Sequence, residues 1–203
     1  EYTVVGVGLE DGKTAGEYAP IFFKQAKYTL LDQNTFWLCE KPDSVGMVGW
    51  DAALTRIATW VKLQDKKTGQ ILMVVNTHFD HIGTEARRNS ALLIIEKIKE
   101  IVGTSPAILT GDFNVSEDWD AYKTITNNEF ILKDAHKVAG KRTGVDFTYH
   151  NFGKIPAEKC EKIDFIFVTP QIRVISSYIP FSQLNDTLFL SDHNPEIVEL
   201  EIK

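Results

Sequence analysis

Side chains that bind metals or carry protons follow several of the apolar runs in this sequence. His78 ends one such run, Asp112 and Asn114 directly follow a second, and Asp164 stands inside a third. Apolar runs of this length predict strands, and strands that share a sheet end at common edges. We therefore expect these side chains to gather around one pocket, where acids, amides and imidazoles suit chemistry on phosphate esters.

Each motif also has a purely structural interpretation, which stays open at the level of sequence. A histidine at a strand end is more often structural when taken alone, and His81, in the following turn, is a weaker candidate for the same pocket. Asp112 and Asn114 lie two residues apart, so in an extended segment both point to one side and suit Mg²⁺ or Mn²⁺. The alternative is an Asx turn that caps the following helix.

A pairing between two distant segments is also expected. Asp164 lies in the apolar stretch 163–168, where a carboxylate is costly to bury unless it is paired. A histidine is its natural partner, and the segment Ser-Asp-His-Asn-Pro at 191–195 supplies His193, directly after Asp192.

Composition narrows the classes of partner. The formal net charge of −6 argues against loose binding to nucleic acid, because such binding relies on Lys and Arg neutralising phosphates. A local basic patch is conceivable, but charge on a solvated face is the simpler interpretation, and the residues concerned are Arg87, Arg88, Lys141 and Arg142. No apolar run is long enough to span a bilayer. Two cysteines, Cys39 and Cys160, are too few for a disulfide framework or a zinc cluster, and the sequence does not decide whether they form one disulfide bond.

The pattern along the chain predicts more strands than helices. The clearest helix covers residues 85–102, with Thr84 as its N-cap and Gly103 closing it, and a second helix starts after Ser116. Residues 54–64 and 70–78 predict an antiparallel hairpin. The other predicted strands are 2–7, 19–24, 36–39, 106–110, 163–168, 173–179 and 196–202. Hairpins mixed with helical crossovers indicate packed sheets covered by helices.

Together and in this order, the four motifs resemble a known family. NTHFDH, GDFN, IDFIFV and SDHNP are similar to the signature segments of the endonuclease/exonuclease/phosphatase superfamily, which includes pancreatic-type deoxyribonuclease, inositol polyphosphate 5-phosphatases and neutral sphingomyelinases. The likeness extends upstream. GEYAPIFFK resembles the family strand that carries a glutamate, here Glu17, and RIATWVKL resembles the strand that opens with an arginine, here Arg56.

The resemblance implies an α/β (α+β) fold, a four-layer αββα sandwich of two packed mixed β-sheets with helices outside. It implies a single domain over residues 1–203 that lacks the family's first strand–helix–strand segment. That segment carries an asparagine and a metal-binding glutamate, and neither Glu10 nor Glu40 stands in the matching context. We therefore expect a chain that is incomplete at its N-terminus, with part of its core exposed and the isolated chain inactive.

The resemblance also assigns roles. Glu17 would orient His78, Asp164 would orient His193, and the two imidazoles would flank the phosphoryl group of a substrate. A Mg²⁺ or Mn²⁺ ion is implied as the cofactor. The candidate catalytic residues are His78, Asp112, Asn114, Asp164, His193, Glu17 and Arg56, and the candidate metal ligands are Asp192, Asp112 and Asn114.

The implied function is metal-dependent hydrolysis of a phosphate ester by a monomer. A phosphorylated small molecule, a lipid headgroup and nucleic acid all remain possible substrates, and loops 137–152 and 183–190 are expected to form part of the rim. Aromatic rings there could stack on a base or sugar, although packing is the simpler use: Phe147, Tyr149, Phe152 and Phe189. One alternative is a catalytically inactive binding module on the same fold. Another, a calcineurin-like phosphatase, needs a Gly-Asn-His motif that the chain lacks.

Overall fold

The computed structural model describes residues 1–103, 105–127, 132–185 and 188–203. The elements in chain order are β1 (Tyr2–Val5), β2 (Ile21–Lys24), β3 (Tyr28–Trp37), β4 (Ile57–Asp65), β5 (Ile71–His78), α1 (Thr84–Val102), β6 (Ala107–Asp112), α2 (Asp120–Thr126), β7 (Lys133–Asp134), α3 (Ala135–Val138), β8 (Lys141–Gly144), a 3₁₀ turn (Ala157–Lys159), β9 (Asp164–Val168), β10 (Ile172–Ile179), β11 (Gln183–Asn185), β12 (Leu188–Phe189) and β13 (Ile197–Ile202). None of the helices in these ranges has the length and apolar character that crossing a membrane requires.

The largest sheet is mixed and has six strands in the order β3-β4-β5-β6-β9-β7. The hairpin predicted for residues 54–78 is confirmed, because β4 and β5 pair antiparallel. β5 and β6 pair parallel, and α1 is the crossover between them. The remaining neighbours are antiparallel. The C-terminal ends of β5 and β6 therefore lie at the same side of the sheet as the N-terminal ends of β4 and β9.

The two faces of the large sheet have different partners, as the period-2 alternation of strand residues dictates. Met73, Val75 and Leu109 belong to the core cluster that also contains the buried side of α1 and α2. Val74 and Ile108 alternate with them and contribute to the clusters on the opposite face. The helices thus cover one face, and smaller sheets cover the other.

The layer opposite the helices consists of two small sheets. The β1-β2 hairpin packs through residues such as Ile21 and Phe23 against Leu63 of β4. The sheet β13-β10-β8, which is also mixed, packs through Val174 against Leu72 of β5. These packed mixed sheets with few helices confirm the α+β class.

Strand β3 is the largest departure from the predicted elements. A short strand was expected at residues 36–39, but the strand runs over Tyr28–Trp37. The prediction failed because Asp32, Gln33 and Asn34 are polar and exposed. Pairing along the whole of β4, from Tyr28 opposite Asp65 to Trp37 opposite Ile57, holds these residues in the sheet. Strands β7, β8, β11 and β12 were also missed, since each has four residues or fewer.

The predicted N-cap of α1 is wrong. Gly83 occupies the N-cap position and Thr84 is the first helical residue. A distant carboxylate replaces the expected cap, because Asp51 accepts hydrogen bonds from the backbone N–H of Glu85 (3.2 Å) and Ala86 (2.6 Å). These bonds lower the pKa of Asp51. The C-terminus is as predicted, with Gly103 at φ 58°.

Asp51→Ala is expected to lower the free energy of unfolding, because two N-terminal N–H groups of α1 lose their acceptor. Chemical denaturation at pH 7 measures this. Asp43→Ala, which removes an exposed carboxylate from the same part of the chain, is the matched control and should change stability by less than about 0.5 kcal/mol. Equal stability of the two variants would contradict the capping role.

The cysteines form no bridge with each other. Cys39 is buried and Cys160 is partly buried, and both are free thiols. Burial raises the pKa of each thiol.

Candidate active site

Strand register brings three of the candidate residues side by side. His78 of β5 lies opposite Asp112 of β6 in the parallel pair, and Asp112 lies opposite Asp164 of β9 in the antiparallel pair. All three side chains lie on the sheet face that turns away from α1. Val74 lies four residues before His78 and Ile108 four residues before Asp112, so each pair shares a face, and both apolar residues pack on the side away from α1. Residues far apart in sequence therefore form one row at the sheet edge.

Gly111 permits the close approach of β5 and β6 just before this row. A Cβ at position 111 would lie 2.1 Å from the carbonyl oxygen of Thr77, and the glycine has φ 154°. Both conditions exclude any larger residue without a shift of backbone. The glycine of the GDFN motif is thus required by the same register that places Asp112 beside His78.

Asp164 and His193 form the pair that the sequence predicted. Nδ1 of His193 lies 2.7 Å from Oδ2 of Asp164, and Nε2 lies 4.0 Å from Oδ2 of Asp112. The Oγ1 of Thr148 accepts hydrogen bonds from the backbone N–H of Ile163 and of Asp164, both at 3.0 Å. The strand that carries Asp164 is therefore fixed from outside the sheet, and the free edge of the imidazole faces Asp112.

The second imidazole is held by a separate set of charges. Glu17 Oε2 lies 3.5 Å from His78 Nδ1 and 3.4 Å from Arg56 Nη1. Nη2 of Arg56 lies 3.3 Å from Nδ1 of His81, and its Nε lies 3.8 Å from Oδ1 of Asp80. The side chain of Glu17 is 63% exposed, while Arg56 is buried. Glu17 and Arg56 thus contact the His78 cluster as the resemblance implied.

The two histidines titrate in opposite directions. Burial and the charge of Arg56 lower the pKa of His78 to about 4. Burial also disfavours protonation of His193, but its hydrogen bond to Asp164 and the charge of that carboxylate outweigh burial and raise its pKa. Burial and the nearby charge of Asp164 raise the pKa of Asp112 to about 6. The site therefore combines an imidazole that is neutral at pH 7, an imidazole whose pKa is raised and a carboxylate of raised basicity.

Comparison with known proteins decides the family. The profile of the Endonuclease/Exonuclease/phosphatase family matches residues 14–193, which include every residue of this cluster. The chain belongs to the endonuclease/exonuclease/phosphatase family.

Related proteins are found among both solved structures and sequences. An endonuclease/exonuclease/phosphatase of Bacteroides vulgatus is 64% identical, with a TM-score of 0.97, covering 100% of this chain and 77% of that chain. A mannosyl-6-phosphatase of Bacteroides thetaiotaomicron is 36% identical, with a TM-score of 0.91, covering 99% and 77%. An uncharacterized protein of Acanthamoeba polyphaga mimivirus is 30% identical over 175 residues, and the chain matches 63% of its length, less than two thirds.

Endonuclease/exonuclease/phosphatase proteins are generally phosphoesterases that depend on divalent metal ions. The donor set here suits such an ion, because Asp112, Asp164 and His193 each offer a ligand atom within 4.8 Å of the others. Burial and the neighbouring charge of Asp164 both raise the pKa of Asp112, and a bound divalent cation would offset both effects. Oxygen ligands of this kind suit Mg²⁺ or Mn²⁺.

The other two predicted ligands lie beside this group. The amide nitrogen of Asn114 donates to the carbonyl of Phe79 (3.0 Å), and its backbone N–H donates to Asp112 (2.8 Å). Asn114 has φ 49°, so the GDFN segment does turn sharply at this point. Asp192 accepts from the Oγ of Ser191 (3.3 Å), and its charge contributes to the raised pKa of His193. Among the acids and histidines of the described residues, the group within 4.8 Å does not include Asp192.

An open cavity of about 470 Å³ lies over the cluster and is lined by His78, Asp112, Asp164 and His193. Tyr149, one of the rim aromatics named from the sequence, packs its ring 4.9 Å from that of His193.

The predicted rim loops contribute mainly packing. Phe147 and Phe189 pack around the buried ring of His150, together with Phe181. Phe152 is 48% exposed. Residues 186–187 of the loop predicted at 183–190 lie outside the described residues.

Asp80 is the other residue that sequence reasoning missed. Burial would raise its pKa, but backbone N–H donors from Gly83 and Ile82 outweigh burial and lower it to about 2. A permanent charge beside Arg56 results. The signal was present, because Asp80 lies between Phe79 and His81 in the NTHFDH motif.

The stabilisation of the protein by Mn²⁺ is expected to grow as pH rises through about 6. Below that pH Asp112 is mostly protonated, since its pKa is raised to about 6, and a proton competes with the cation. Thermal melting with and without Mn²⁺ at pH 5 and pH 7.5 measures the effect. In the Asp112→Asn protein, the increase in melting temperature caused by Mn²⁺ should be the same at both pH values. The same pH dependence in the variant and the unchanged protein would contradict the role of Asp112.

Proposed function

We propose that this protein is a divalent-cation-dependent phosphoesterase that releases phosphate from a sugar phosphate. One observation carries the proposal. Two imidazoles of different protonation, His78 held by Glu17 and His193 held by Asp164, face the same carboxylate of Asp112. Groups whose pKa values are pushed apart in this way suit separate acid and base roles in one reaction.

The residues divide the work of hydrolysis as follows. Asp112, which lies 3.5 Å from His78 and 4.0 Å from His193, accepts a proton from the attacking water. Asp164 orients His193 and raises its pKa, and His193 donates a proton to an oxygen of the phosphoryl group or of the leaving alcohol. Neutral His78 donates a hydrogen bond to another phosphoryl oxygen.

A divalent cation, when bound, would supply positive charge to the phosphoryl oxygens. Asp112 and Asp164 would hold it, and Asp192 and Asn114 are the further ligands that the family resemblance suggests. Asp164 can serve both roles, because Oδ2 holds His193 while Oδ1 is left for the ion. Arg56 reinforces the cluster through Glu17.

The choice of a sugar phosphate rests on likeness and on charge. The related protein of Bacteroides thetaiotaomicron, at 36% identity, is a mannosyl-6-phosphatase. A net charge of −6 disfavours a long polyanion such as nucleic acid, which would have to be drawn to the site by Lys and Arg. A small phosphate ester needs only the local charges of the site and its cation.

An inactive binding module explains the site less well. A module without chemistry has no use for two carboxylates whose repulsion raises the pKa of Asp112, since such charges are costly to bury. The pairs His78–Glu17 and His193–Asp164 are both intact.

A substrate panel tests the proposal. The protein is assayed with Mg²⁺ or Mn²⁺ against mannose 6-phosphate, bis(p-nitrophenyl) phosphate, single-stranded DNA and sphingomyelin, and released phosphate or product is measured. We expect kcat/KM for the sugar phosphate to exceed that for every other substrate at least tenfold, and chelation by EDTA to abolish the activity. Preferential cleavage of DNA or of the diester would reject the sugar-phosphate assignment.

A further inference from the structure

A buried ion pair joins two sheets next to the Asp164–His193 hydrogen bond. Asp164 lies on β9 of the six-stranded sheet, whereas His193 precedes β13, which belongs to the sheet β13-β10-β8. Nζ of Lys162, two residues before Asp164, lies 2.8 Å from Oε2 of Glu196, three residues after His193. The ion pair therefore connects the same two segments that the catalytic hydrogen bond connects, and neither of its members takes part in the hydrolysis described above.

The pair is shielded from water. The side chains of Lys162 and Glu196 are 13% and 2% exposed, whereas those of Arg173 and Glu201, an ion pair between β10 and β13, are 66% and 59% exposed. Solvent and salt screen a buried pair much less than an exposed one. Because removing two charges from water is costly, a buried pair adds little net stability, and its main effect is to fix the geometry of the segments that it joins.

Lys162 also holds the backbone of Asp164 directly. Its Nζ donates to the carbonyl oxygen of Asp164 (2.7 Å) and lies 3.9 Å from the centre of the Phe165 ring. Within the described residues, β7 pairs with β9 at positions 167–168 and not at Asp164. The outer edge of β9 therefore takes its hydrogen bonds from side chains at this end, with Thr148 accepting from the N–H of Asp164 and Lys162 donating to its carbonyl.

Glu196 is held from the opposite side by β10. Its Oε1 accepts a hydrogen bond from Oγ of Ser177 (3.2 Å), and Nδ1 of His136 lies 2.8 Å from the same hydroxyl oxygen. Its Oε2 has no hydrogen bond within the described part of the chain, so its charge is compensated mainly by Lys162. Burial raises the pKa of Glu196, and the charge of Lys162 opposes that rise. The position of Lys162 is thus tied to a carboxylate that β10 fixes.

We propose that Lys162 and Glu196 form a clamp that holds Asp164 within hydrogen-bonding distance of His193, and that both are positioning residues for hydrolysis. Oδ2 of Asp164 and Nδ1 of His193 meet at 2.7 Å, and a shift of about 1 Å between their two segments would break this bond. The kinetic consequence rests on the proposed function. The effect on the hydrogen bond does not, and the two are tested separately.

A backbone bridge keeps these segments together when the clamp is removed. Oγ1 of Thr148 accepts from the backbone N–H of Asp164, and the carbonyl of Thr148 accepts from the N–H of Asn194 (2.7 Å). Neither bond involves the side chain of Lys162 or Glu196. Removing both charges of a buried pair also leaves no unpaired charge behind, a change that proteins often tolerate. We therefore expect the double variant Lys162→Met/Glu196→Gln to fold.

NMR of the ¹⁵N-labelled histidine rings tests the clamp without any reaction. In the double variant we expect the Nδ1 signal of His193 to move towards its position in the Asp164→Asn protein, where the bond to a carboxylate is lost. Arg173→Met/Glu201→Gln is the matched control, because it removes the exposed ion pair of the same sheet, and it should leave the signal in place. A double variant whose signal coincides with that of the unchanged protein would overturn the clamp.

Glu196→Gln alone provides a second test that does not depend on the folding of the double variant. It keeps an acceptor for Ser177 and the bond from Lys162 to the carbonyl of Asp164, and it removes only the charge that fixes Lys162. The His193 signal should move in the same direction as in the double variant and by a smaller amount. A signal that stays in place in this folded protein would equally contradict the clamp.

Kinetics on mannose 6-phosphate tests the use of the clamp. We expect kcat of Lys162→Met/Glu196→Gln to fall about tenfold while KM stays within about twofold, because the clamp positions the proton donor and does not bind the substrate. An unchanged kcat, or a loss that appears in KM alone, would show that the clamp does not serve hydrolysis. If the unchanged protein does not hydrolyse mannose 6-phosphate, the proposed function is rejected, and the NMR experiment decides the clamp alone.

Discussion

Asp112→Asn is expected to reduce phosphate-ester hydrolysis by about 10³-fold. The substitution removes a base whose pKa lies near 6 and one of the carboxylates offered to the cation, while it keeps the shape of the side chain. Initial rates at saturating Mn²⁺, together with Mn²⁺ affinity measured by calorimetry, separate the two losses.

The control for this substitution is Asp146→Asn. Asp146 is fully exposed and lies 3.9 Å from His136, outside the row of His78, Asp112 and Asp164. Its loss should leave hydrolysis within about twofold, because exposed ion pairs contribute little. An Asp112→Asn protein that folds normally and retains more than about a tenth of the rate would show that the central carboxylate is not required.

His193→Ala is expected to lower the rate of hydrolysis by about 10²–10⁴-fold, because the site loses the proton donor that Asp164 orients. Asp164→Asn should cost less and should move the alkaline fall of the rate to lower pH. The direction follows from the pair: Asp164 raises the pKa of His193, so without that charge the imidazole loses its proton at a lower pH.

A pH–rate profile of the three proteins measures this prediction. The pKa of His78 is already lowered to about 4, so His78 should not contribute to the alkaline limb. If the rate of the Asp164→Asn protein falls at the same alkaline pH as that of the unchanged protein, His193 does not act as the acid. Circular dichroism and melting temperature serve as the checks on folding.

The sequence predicts the site well where a strand carries the motif. The sequence places His78 at the end of a strand, Asp112 directly after one and Asp164 inside one, and register between β5, β6 and β9 brings the three into one row. The partners Asp164 and His193 followed from the cost of a lone buried carboxylate. The opposite shifts in the pKa of the two histidines could not be predicted, since they depend on burial and on Arg56.

Contacts between distant segments are harder to predict from the sequence when neither segment has a regular pattern of apolar residues. Asp51 caps α1 from over thirty residues upstream, a pairing with no local pattern. Arg87 reads as surface charge, but the helix packs it against Trp119 and buries it. The polar start of β3 carries no strand pattern, and only its neighbour β4 makes it a strand.

Crystals soaked with Mn²⁺ and orthovanadate, a mimic of phosphate, would test the central claim most directly through an anomalous difference map. The account predicts one Mn²⁺ peak in contact with the carboxylate of Asp112, and a vanadate bound to it between the imidazoles of His78 and His193. A Mn²⁺ or vanadate that binds away from Asp112, or contacts neither imidazole, would contradict the assignment of these residues to a single phosphoesterase site.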